Sequence, residues 1–432
     1  MPRPNLPPTG PAPTARTSRR ATRSLAHGRR RSRRKKVLFG VAGVATGLLV
    51  AGVAFAGVMA ARVAGNIAGN SVARPGDTDG PEIPDWNGAV NLLIMGSDVR
   101  AGQTSANYGD EGGARSDVMM LLHVSSDHSN ATLVSIPRDT MLPTPECTTP
   151  AGDTIEARES VQINGVLNDG PYCSLDTIRD FTGLDVDHFI IVDFDGVIGV
   201  TDAIGGVEIC LAEDVDDPDS GLTLAAGEHT IQGAQALAFL RTRHGIGDGS
   251  DLGRIATQQT YLSALARKVK DAGTLTNPVA LFGLADAASR SITVDDGLAG
   301  PDALVGLAGT LANIDLANIA LVQLPVQDYW ADPNRVEPIQ DQVEALFAAL
   351  AADEALTFAT DDTEDPEDPE AGSGDEAAAD DTPAAEGPTA DAPAADAPAP
   401  TQSATATPKP KATLPPGTKG QDAATKSCAG AS

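Results

Sequence analysis

The sequence predicts an α/β fold, a layered α-β-α domain with a central mixed sheet, after a single N-terminal transmembrane helix. Between residues 88 and 352, short apolar runs typical of buried strands alternate with longer runs typical of helices. An uncharged run, Val37 to Ala61, precedes them. The chain therefore divides into a basic disordered segment (1–36), a transmembrane helix (37–61), a linker (62–87), a folded domain (88–352) and an acidic, Ala/Pro/Asp-rich disordered tail (353–432).

The charge distribution predicts how the transmembrane helix is oriented. Twelve of the 31 Lys and Arg residues lie within residues 1–36, which hold none of the 59 acidic residues. The positive-inside rule keeps such a flank in the cytoplasm, so the folded domain should lie outside a cell membrane that the chain crosses once. The run is longer than the ~20 residues that a membrane-spanning helix needs. It is also too long for a signal peptide. We expect the basic segment to contact anionic lipid and not nucleic acid.

Arginine and aspartate recur at one end of the first three predicted strands. The strands are Ala89 to Met95, the run VMMLLHV at 118–124, and Ala131 to Ile136, and the charged residues beside them are Asp98 and Arg100, Arg115 and Asp117, and Arg138 and Asp139. Strand packing does not require this repetition, and in open α/β sheets ligands bind beyond the carboxyl ends of strands. We therefore expect a polar site at this edge, with Asp139 interpreted as a turn cap.

A second charged stretch, Phe239 to Gln259, reads FLRTRHGIGDGSDLGRIATQQ. If the segment is extended, Arg241 and Arg243 point the same way. Asp251, Arg254 and Gln258 fall on one face of the helix that follows. Guanidinium groups aimed at a helix N-terminus favour an anion such as phosphate.

The remaining pattern completes the prediction. The predicted helices are Gln162 to Asn168, Leu175 to Phe181, Gln232 to Leu240, Leu252 to Lys270, 277–289, 301–312 and Val336 to Ala352, and the further strands are His188 to Phe194, Val207 to Leu211 and Ile319 to Leu324.

Residues 140–160 are expected to form a loop that a disulfide between Cys147 and Cys173 closes, because an extracytoplasmic domain is in an oxidising compartment. Cys210 is expected in a buried strand, and Cys428, in the predicted tail, has no evident partner.

Five motifs stand in order along the chain: NLLIMGSDVR, RSDVMMLLHV, SIPRD, INGVLNDG and RTRHGIGDGSDLGRIATQQ. Together they resemble the LytR-CpsA-Psr family of cell-wall glycopolymer ligases, over roughly residues 88 to 350. The resemblance implies transfer of a glycan phosphate from a polyprenyl-pyrophosphate carrier to peptidoglycan. It also implies a magnesium ion and an apolar tunnel for the lipid. The transferred glycopolymer would be of the arabinogalactan, teichoic acid or capsule kind.

The resemblance also assigns roles residue by residue. The metal-site carboxylates are Asp98 and Asp117, and the pyrophosphate-binding residues are Arg115, Arg138, Arg241, Arg243, Arg254, Gln258 and, less constantly, Arg100. The residues expected to take part in catalysis are Asp98, Arg138, Asp251 and Arg254. The chemistry agrees, since Mg²⁺ in proteins is held by one or two carboxylates together with substrate phosphates. Arginine also stays charged and binds phosphate with a planar fork.

Two other functions remain open from the sequence. A membrane-anchored phosphatase or pyrophosphatase could use the same site with water as the acceptor. A non-catalytic, wall-associated regulatory protein would tolerate replacement of the site residues. The sequence also leaves open whether Asp98 is only a metal ligand or also a base.

Overall fold

The computed structural model describes residues 54, 56–76, 86, 88–97, 115–186, 188–243, 245, 246, 251–271, 278–358, 411–415 and 417–430. The chain divides into two compact units, Met1–Ala61 and Arg62–Ser432. In the first unit, residues 54 and 56–61 are helical. The rest of the predicted membrane span lies outside the described residues. Among the helices that are described, none is long and apolar enough to cross a membrane, and the span stays a prediction.

An eight-stranded mixed sheet forms the centre of the second unit. Its strands are Ser71–Val72 (β1), Val90–Ser97 (β2), Ser116–Val124 (β3), Ala131–Ile136 (β4), His188–Val192 (β5), Ile292–Asp295 (β6), Ile319–Gln323 (β7) and Gly420–Asp422 (β8), in the spatial order β1-β6-β5-β2-β3-β4-β7-β8. The pairs β1/β6, β5/β2 and β4/β7 are parallel, and the other neighbours are antiparallel.

Both faces of the sheet are buried, which explains the nearly continuous apolar runs of its central strands. Along β2, Leu93 and Met95 belong to one core, whereas Val90 and Leu92 belong to another on the opposite face. This alternation follows from the two-residue period of a strand. The sheet is therefore the middle layer of three, and the predicted layered α-β-α architecture is confirmed.

Residues 62–69 of the second unit are helical, and seven α-helices follow among its described residues. They are Pro171–Thr182 (α1), Phe194–Ala203 (α2), Gly233–Arg241 (α3), Asp251–Asp271 (α4), Pro278–Arg290 (α5), Pro301–Asn313 (α6) and Gln340–Ala351 (α7). Helices α1 and α7 contribute to the core on one face, and α6 contributes to the core on the other. A third, smaller core is built mainly from α3, α4 and the strand Val207–Leu211.

Short elements connect these layers. Two-stranded pairs join Met141–Thr144 with Arg158–Gln162, Cys147–Thr148 with Thr154–Ile155, Val207–Leu211 with Gly227–Ile231, Val215–Asp217 with Leu222–Leu224, Val326–Tyr329 with Asp332–Pro338, and Ala355–Thr357 with Lys411–Thr413. The 3-10 helices are Ile163–Asp169, Asp296–Leu298 and Leu316–Asn318. Gly170, at the break before α1, has φ of 123°, and a Cβ there would meet Pro150 Cδ at 2.7 Å, so this turn requires glycine.

Two element predictions are wrong. Residues 140–160, predicted as a loop, contain two small strand pairs, because their backbone groups bond to each other and to Arg158–Gln162. The last helix begins at Gln340 and not at Val336. Val336 pairs with Asp328 across a hairpin, and its N–H donates to the carbonyl of Asp139 at 3.2 Å.

The structure contains two disulfides, of which one was predicted. Cys147 and Cys173 are joined, with their Cα atoms 5.4 Å apart. Cys210 and Cys428 are joined as well, with Cα atoms 4.4 Å apart. Cys428 therefore has a partner, 218 residues away in the sequence.

The prediction of a wholly disordered tail from residue 353 is wrong for residues 353–358, where Ala355–Thr357 pairs with Lys411–Thr413, and for residues 411–415 and 417–430. Strand β8 pairs with β7, and Ala429 exchanges backbone hydrogen bonds with Cys210 and Ala212. Leu414, Ala423 and Ala429 are buried. Backbone pairing and a covalent bond hold this segment, and neither leaves a strong apolar pattern in the sequence. Residues 359–410 lie outside the described part of the chain.

Candidate functional site

The strand directions bring the predicted charged residues to one edge of the sheet. Ser97, at the end of β2, pairs with Ser116, at the start of β3. β4 runs antiparallel to β3, and β5 runs parallel to β2. The ends of β2, β4 and β5 and the beginning of β3 therefore lie at the same edge, which places Asp117, Arg138 and Asp193 near one another.

Two arginines from distant parts of the chain hold Asp117. Arg138 donates from Nη1 to Asp117 Oδ1 at 2.9 Å, and Arg254 donates from Nη2 to the backbone oxygen of Asp117 at 2.8 Å. Arg254 lies in the first turn of α4 and is only 6% exposed. A guanidinium group that is buried this deeply needs hydrogen-bond acceptors that offset its loss of hydration. This arrangement fixes the charge of Arg254 at the sheet edge.

Arg241 and Arg243 approach the site from α3 and the residues just after it. Arg241 is the last residue of α3. The two arginines therefore do not lie in one extended segment, which was the condition under which the sequence analysis expected them to point the same way. The Arg241 guanidinium lies 5.2 Å from the ring centroid of Phe194, a cation–π distance. The backbone N–H of Arg243 donates to Asp217 Oδ2 at 3.0 Å. Both arginine side chains line the same cavity.

This central cavity, bounded by β2, β3, α2, α3 and α4, has a volume of about 550 Å³. One part is polar and is lined by Arg241, Arg243, Arg254 and Gln258 together with the carboxylates of Asp117, Asp193, Asp217 and Asp219. The rest is apolar and is lined by Ile94, Met120, Phe194, Val197, Val200, Leu237, Leu240, Leu262 and Leu265. A cavity with clustered guanidinium groups beside an extended apolar wall fits an amphipathic anion.

Tyr261 closes the cavity between α4 and α2. Its hydroxyl lies 2.8 Å from Thr201 Oγ1, and Thr201 Oγ1 in turn donates to the backbone oxygen of Val197 at 2.6 Å. Burial raises the pKa of Tyr261 above its ordinary value, an effect that the hydrogen bond with Thr201 partly opposes. The hydroxyl therefore stays neutral at physiological pH and adds no charge to the apolar wall.

The protein-family model described as the LytR_cpsA_psr family matches residues 63–352 of this chain. This chain belongs to the LytR-CpsA-Psr family. The match covers strands β1 to β7, the central cavity and every element that contributes a charged side chain to it. Strand β8 and the bonded C-terminal segment lie beyond the matched region.

Curated relatives of this family member are named for cell-wall biosynthesis. The chain is 36% identical to the cell wall biosynthesis protein LcpA of Corynebacterium glutamicum, over 57% of this chain and 52% of that protein. It is 29% identical to the polyisoprenyl-teichoic acid–peptidoglycan teichoic acid transferase TagU of Oceanobacillus iheyensis, over 44% of this chain and 54% of that protein. The chain thus spans about half the length of the curated relatives it matches.

Solved structures of the family are also similar. A LytR-Csp2A-Psr enzyme from Actinomyces oris is 24% identical and aligns with a TM-score of 0.49, covering 65% of this chain and 94% of that chain. The structure of TagT bound to LI-WTA is 20% identical, with a TM-score of 0.47 and coverage of 63% and 93%.

The residues that the family resemblance assigned fall into three groups. Asp117, Arg138, Arg241, Arg243, Arg254 and Gln258 are brought to the central cavity or to its sheet edge. Arg115 is exposed immediately before β3. Asp98 and Arg100 lie outside the described residues, and Asp251 is described only as the first residue of α4. The roles of all these residues stay predictions.

Asp139 does more than the turn cap that the sequence suggested. One carboxylate oxygen lies 3.5 Å from Arg138 Nε, and the other accepts from Arg335 Nη1 at 3.2 Å and from Gln162 Nε2. Asp139 therefore positions Arg138. Arg335, nearly two hundred residues away, could not be identified as its partner from the sequence.

Asp217 is a second residue that the sequence analysis missed. Its side chain is almost fully buried and accepts from the backbone N–H groups of Asp219 and Arg243, both at 3.0 Å. The signal was present in the turn sequence Asp-Pro-Asp-Ser-Gly at 217–221. The carboxylate fixes the backbone at Arg243 and thereby holds that side chain at the cavity.

Proposed function

We propose that this protein is a transferase that moves a glycan phosphate from a polyprenyl-pyrophosphate carrier to peptidoglycan, and so attaches a secondary glycopolymer to the cell wall. The observation that carries the proposal is the central cavity, with arginines at one part and an apolar wall along the rest. A polyprenyl pyrophosphate has the same two-part chemistry. The names of the curated relatives support the same class of reaction.

The arginines account for binding and for stabilisation of the leaving group. A hydroxyl oxygen of the acceptor attacks the phosphorus that carries the glycan, and the bond between this phosphorus and the bridging oxygen of the pyrophosphate breaks. Polyprenyl monophosphate leaves with the additional negative charge. Arg241, Arg243 and Arg254 stand where fixed positive charge would stabilise it, and such preplaced donors are effective in a site that excludes water.

A carboxylate is needed for the proton of the acceptor hydroxyl. We assign this role to Asp98, the residue after Ser97, whose partner Ser116 on the neighbouring strand immediately precedes Asp117. A carboxylate within hydrogen-bond reach of the hydroxyl can accept its proton as the new oxygen–phosphorus bond forms.

The donor set at this edge fits magnesium. The Asp117 side chain is 39% exposed and lines the cavity, so it can contribute a hard oxygen ligand while water and phosphate oxygens supply others. Among the described residues, no group of three or more His, Cys, Asp or Glu side chains could hold a metal ion, and Asp98 lies outside them. We propose that Asp98 and Asp117 hold Mg²⁺, which when bound would neutralise charge on the pyrophosphate oxygens.

The proposed reaction belongs at the outer surface of the cell membrane. The two disulfides are typical of an oxidising compartment. The predicted span at residues 37–61, with its basic cytoplasmic flank, would keep the domain beside the lipid carrier.

The test is transfer from a synthetic polyprenyl-pyrophosphate glycan to peptidoglycan, catalysed by the full-length protein in lipid vesicles. We expect glycan phosphate covalently linked to peptidoglycan and an equal amount of polyprenyl phosphate. A metal chelator should stop the reaction, and Asp98→Asn should abolish it while the protein remains folded. The matched control is Asp315→Asn, at an exposed position whose side chain makes no cap hydrogen bond.

Two results would reject the proposal. Polyprenyl phosphate released without any linked glycan would identify a hydrolase with water as the acceptor. Full, chelator-sensitive transfer by Asp98→Asn would show that the assigned site is wrong.

A further inference from the structure

A second opening lies outside the central cavity, between the hairpin Val326–Tyr329/Asp332–Pro338, the strand Met141–Thr144 and the ends of α1 and α7. We call it the acidic groove. It encloses about 760 Å³, and its lining includes Met141, Glu159, Asp180, Tyr329, Glu337 and Asp341. The described residues that line it include four carboxylates and no Lys or Arg. The groove therefore carries negative charge, whereas the central cavity has three arginines beside its four carboxylates.

An exposed aromatic pair stands at the hairpin turn beside this groove. Trp330 is 84% exposed, more than any other large apolar side chain in the described part of the chain. Its ring centroid is 5.7 Å from that of Tyr329, whose side chain lines the groove. Tryptophan is seldom so exposed unless it contacts a partner. Its flat, electron-rich face suits the C–H groups of a sugar ring.

The groove is connected to the candidate site through the base of the same hairpin. Arg335 donates to Asp139 Oδ1 at 3.2 Å, and the N–H of Val336 donates to the Asp139 carbonyl at 3.2 Å. Asp139 also holds Arg138. Met141, in the groove lining, is three residues after Arg138, so their Cα atoms are at most roughly 10 Å apart. A polymer bound in the groove would thus extend towards the reacting phosphate.

The charges separate two kinds of polymer. An anionic glycan phosphate is attracted to the arginines and repelled by the carboxylates of the groove, whereas an uncharged or amine-bearing polysaccharide is not repelled. Carboxylates are also hydrogen-bond acceptors for sugar hydroxyl and amide groups. We propose that the acidic groove, with Tyr329 and Trp330, binds the acceptor as an uncharged amino-sugar glycan strand. This assignment of the acceptor subsite rests on the proposed function.

Binding can be measured with soluble, uncharged oligomers of N-acetylglucosamine, and with the full-length protein. Trp330→Ala should weaken binding about tenfold, the scale of a lost aromatic stacking contact. The matched control is Val305→Ala, which removes another exposed apolar side chain, 71% exposed, on α6. It should leave the affinity unchanged. Equal affinity of wild type and Trp330→Ala would overturn the proposal.

A double variant tests the electrostatic part. Glu337→Gln with Asp341→Asn keeps the shapes of the side chains and removes two charges, so binding of an anionic, phosphate-bearing glycan to the groove should increase. A role limited to folding would not produce this gain. If neither the neutral nor the anionic glycan responds to the double variant, the carboxylates do not select the polymer.

Kinetics separates this proposal from the proposed function. In the transfer assay, Trp330→Ala should raise the KM for the acceptor and regain most of its turnover at saturating acceptor. Normal transfer with an unchanged acceptor KM would reject the groove and leave the transferase intact. Glycan binding that depends on Trp330, in a protein without transfer activity, would retain the groove and reject the transferase.

Discussion

At the scale of single residues, the site depends on charges that the fold holds in fixed positions. Arg254 is buried and bonded to the backbone of Asp117, Arg138 is bonded to the Asp117 side chain, and Asp139 connects Arg138 to Arg335. Apart from the one between the adjacent residues Arg138 and Asp139, each contact joins residues from different elements. The geometry of the guanidinium groups is therefore a property of the folded domain.

Arg254→Gln should impair both stability and activity. The change removes a charge-assisted hydrogen bond, which contributes ~1.5–3 kcal/mol to the free energy of unfolding. It also removes positive charge facing the leaving group, and the loss of such a donor lowers turnover by ~10²–10³. Denaturant titration and the transfer assay measure the two effects.

The control for Arg254 is Arg290→Gln on α5, because Arg290 is half-exposed and ion-paired with Asp286. We expect it to retain wild-type activity. If Arg254→Gln also retained full turnover, Arg254 would have only a structural role.

Asp139→Asn tests whether Asp139 acts through Arg138. The amide keeps its shape but loses the charge shared by Arg138 and Arg335, so turnover should fall about tenfold while the donor KM changes little. A structural role alone would lower the thermal midpoint and leave kcat per folded molecule unchanged. Asp315→Asn again serves as the control.

At the scale of elements, helix α4 connects the site with the rest of the domain. Arg254, Gln258 and Tyr261 face the central cavity. Further along the helix, Arg267 donates to the carbonyls of Ala423 and Thr425 at 3.0 and 2.7 Å. The bonded C-terminal segment therefore holds the same helix that presents the site arginine.

The hairpin beside the acidic groove should loosen in acid. The backbone N–H of Asn334 and, with a smaller effect, its side-chain amide donate hydrogen bonds to Asp332. These bonds lower the Asp332 pKa from its ordinary value of 3.8. A carboxyl group whose pKa is lower in the folded state stabilises the fold at pH values above its unfolded-state pKa. This contribution is lost as the pH falls through the folded-state pKa. The Asn334 amide resonance should therefore shift at a lower pH than expected for an aspartate without these hydrogen bonds. In Asp332→Asn, this acid transition should be absent.

At the scale of the whole molecule, a disulfide joins the third core to the C-terminal end of the described chain. Cys210 lies in the strand Val207–Leu211, and Cys428 lies in the segment that contributes β8 to the sheet edge. The covalent link and the β7/β8 pairing attach the C-terminal segment to the part of the fold that the family match covers.

Replacing Cys210 and Cys428 together by serine should destabilise the protein by about 2–5 kcal/mol. The double replacement avoids an unpaired thiol. Amide hydrogen exchange should increase at Gln421 and Leu321, whose backbones pair in β8 and β7. Unchanged protection at both positions would show that strand pairing holds the segment without the covalent bond.

The sequence by itself determined strands β2 to β5 and β7, the approximate positions of helices α1 and α3 to α7, the edge that carries the site, and the family. Apolar periodicity is local, and the runs at β2, β3 and β4 report burial wherever their partners lie. It also determined the Cys147–Cys173 disulfide, because the two cysteines flank a single loop.

Only the tertiary structure decided the partner of Cys428, the ordering of residues 411–430, the two roles of Asp139 and the burial of Asp217. Each depends on a contact between segments far apart in the chain. Such contacts leave no periodic signal, because a single hydrogen bond or disulfide constrains one residue at each end and not a run of residues. The acidic groove arises in the same way, since its carboxylates come from four separate segments that only the fold brings together.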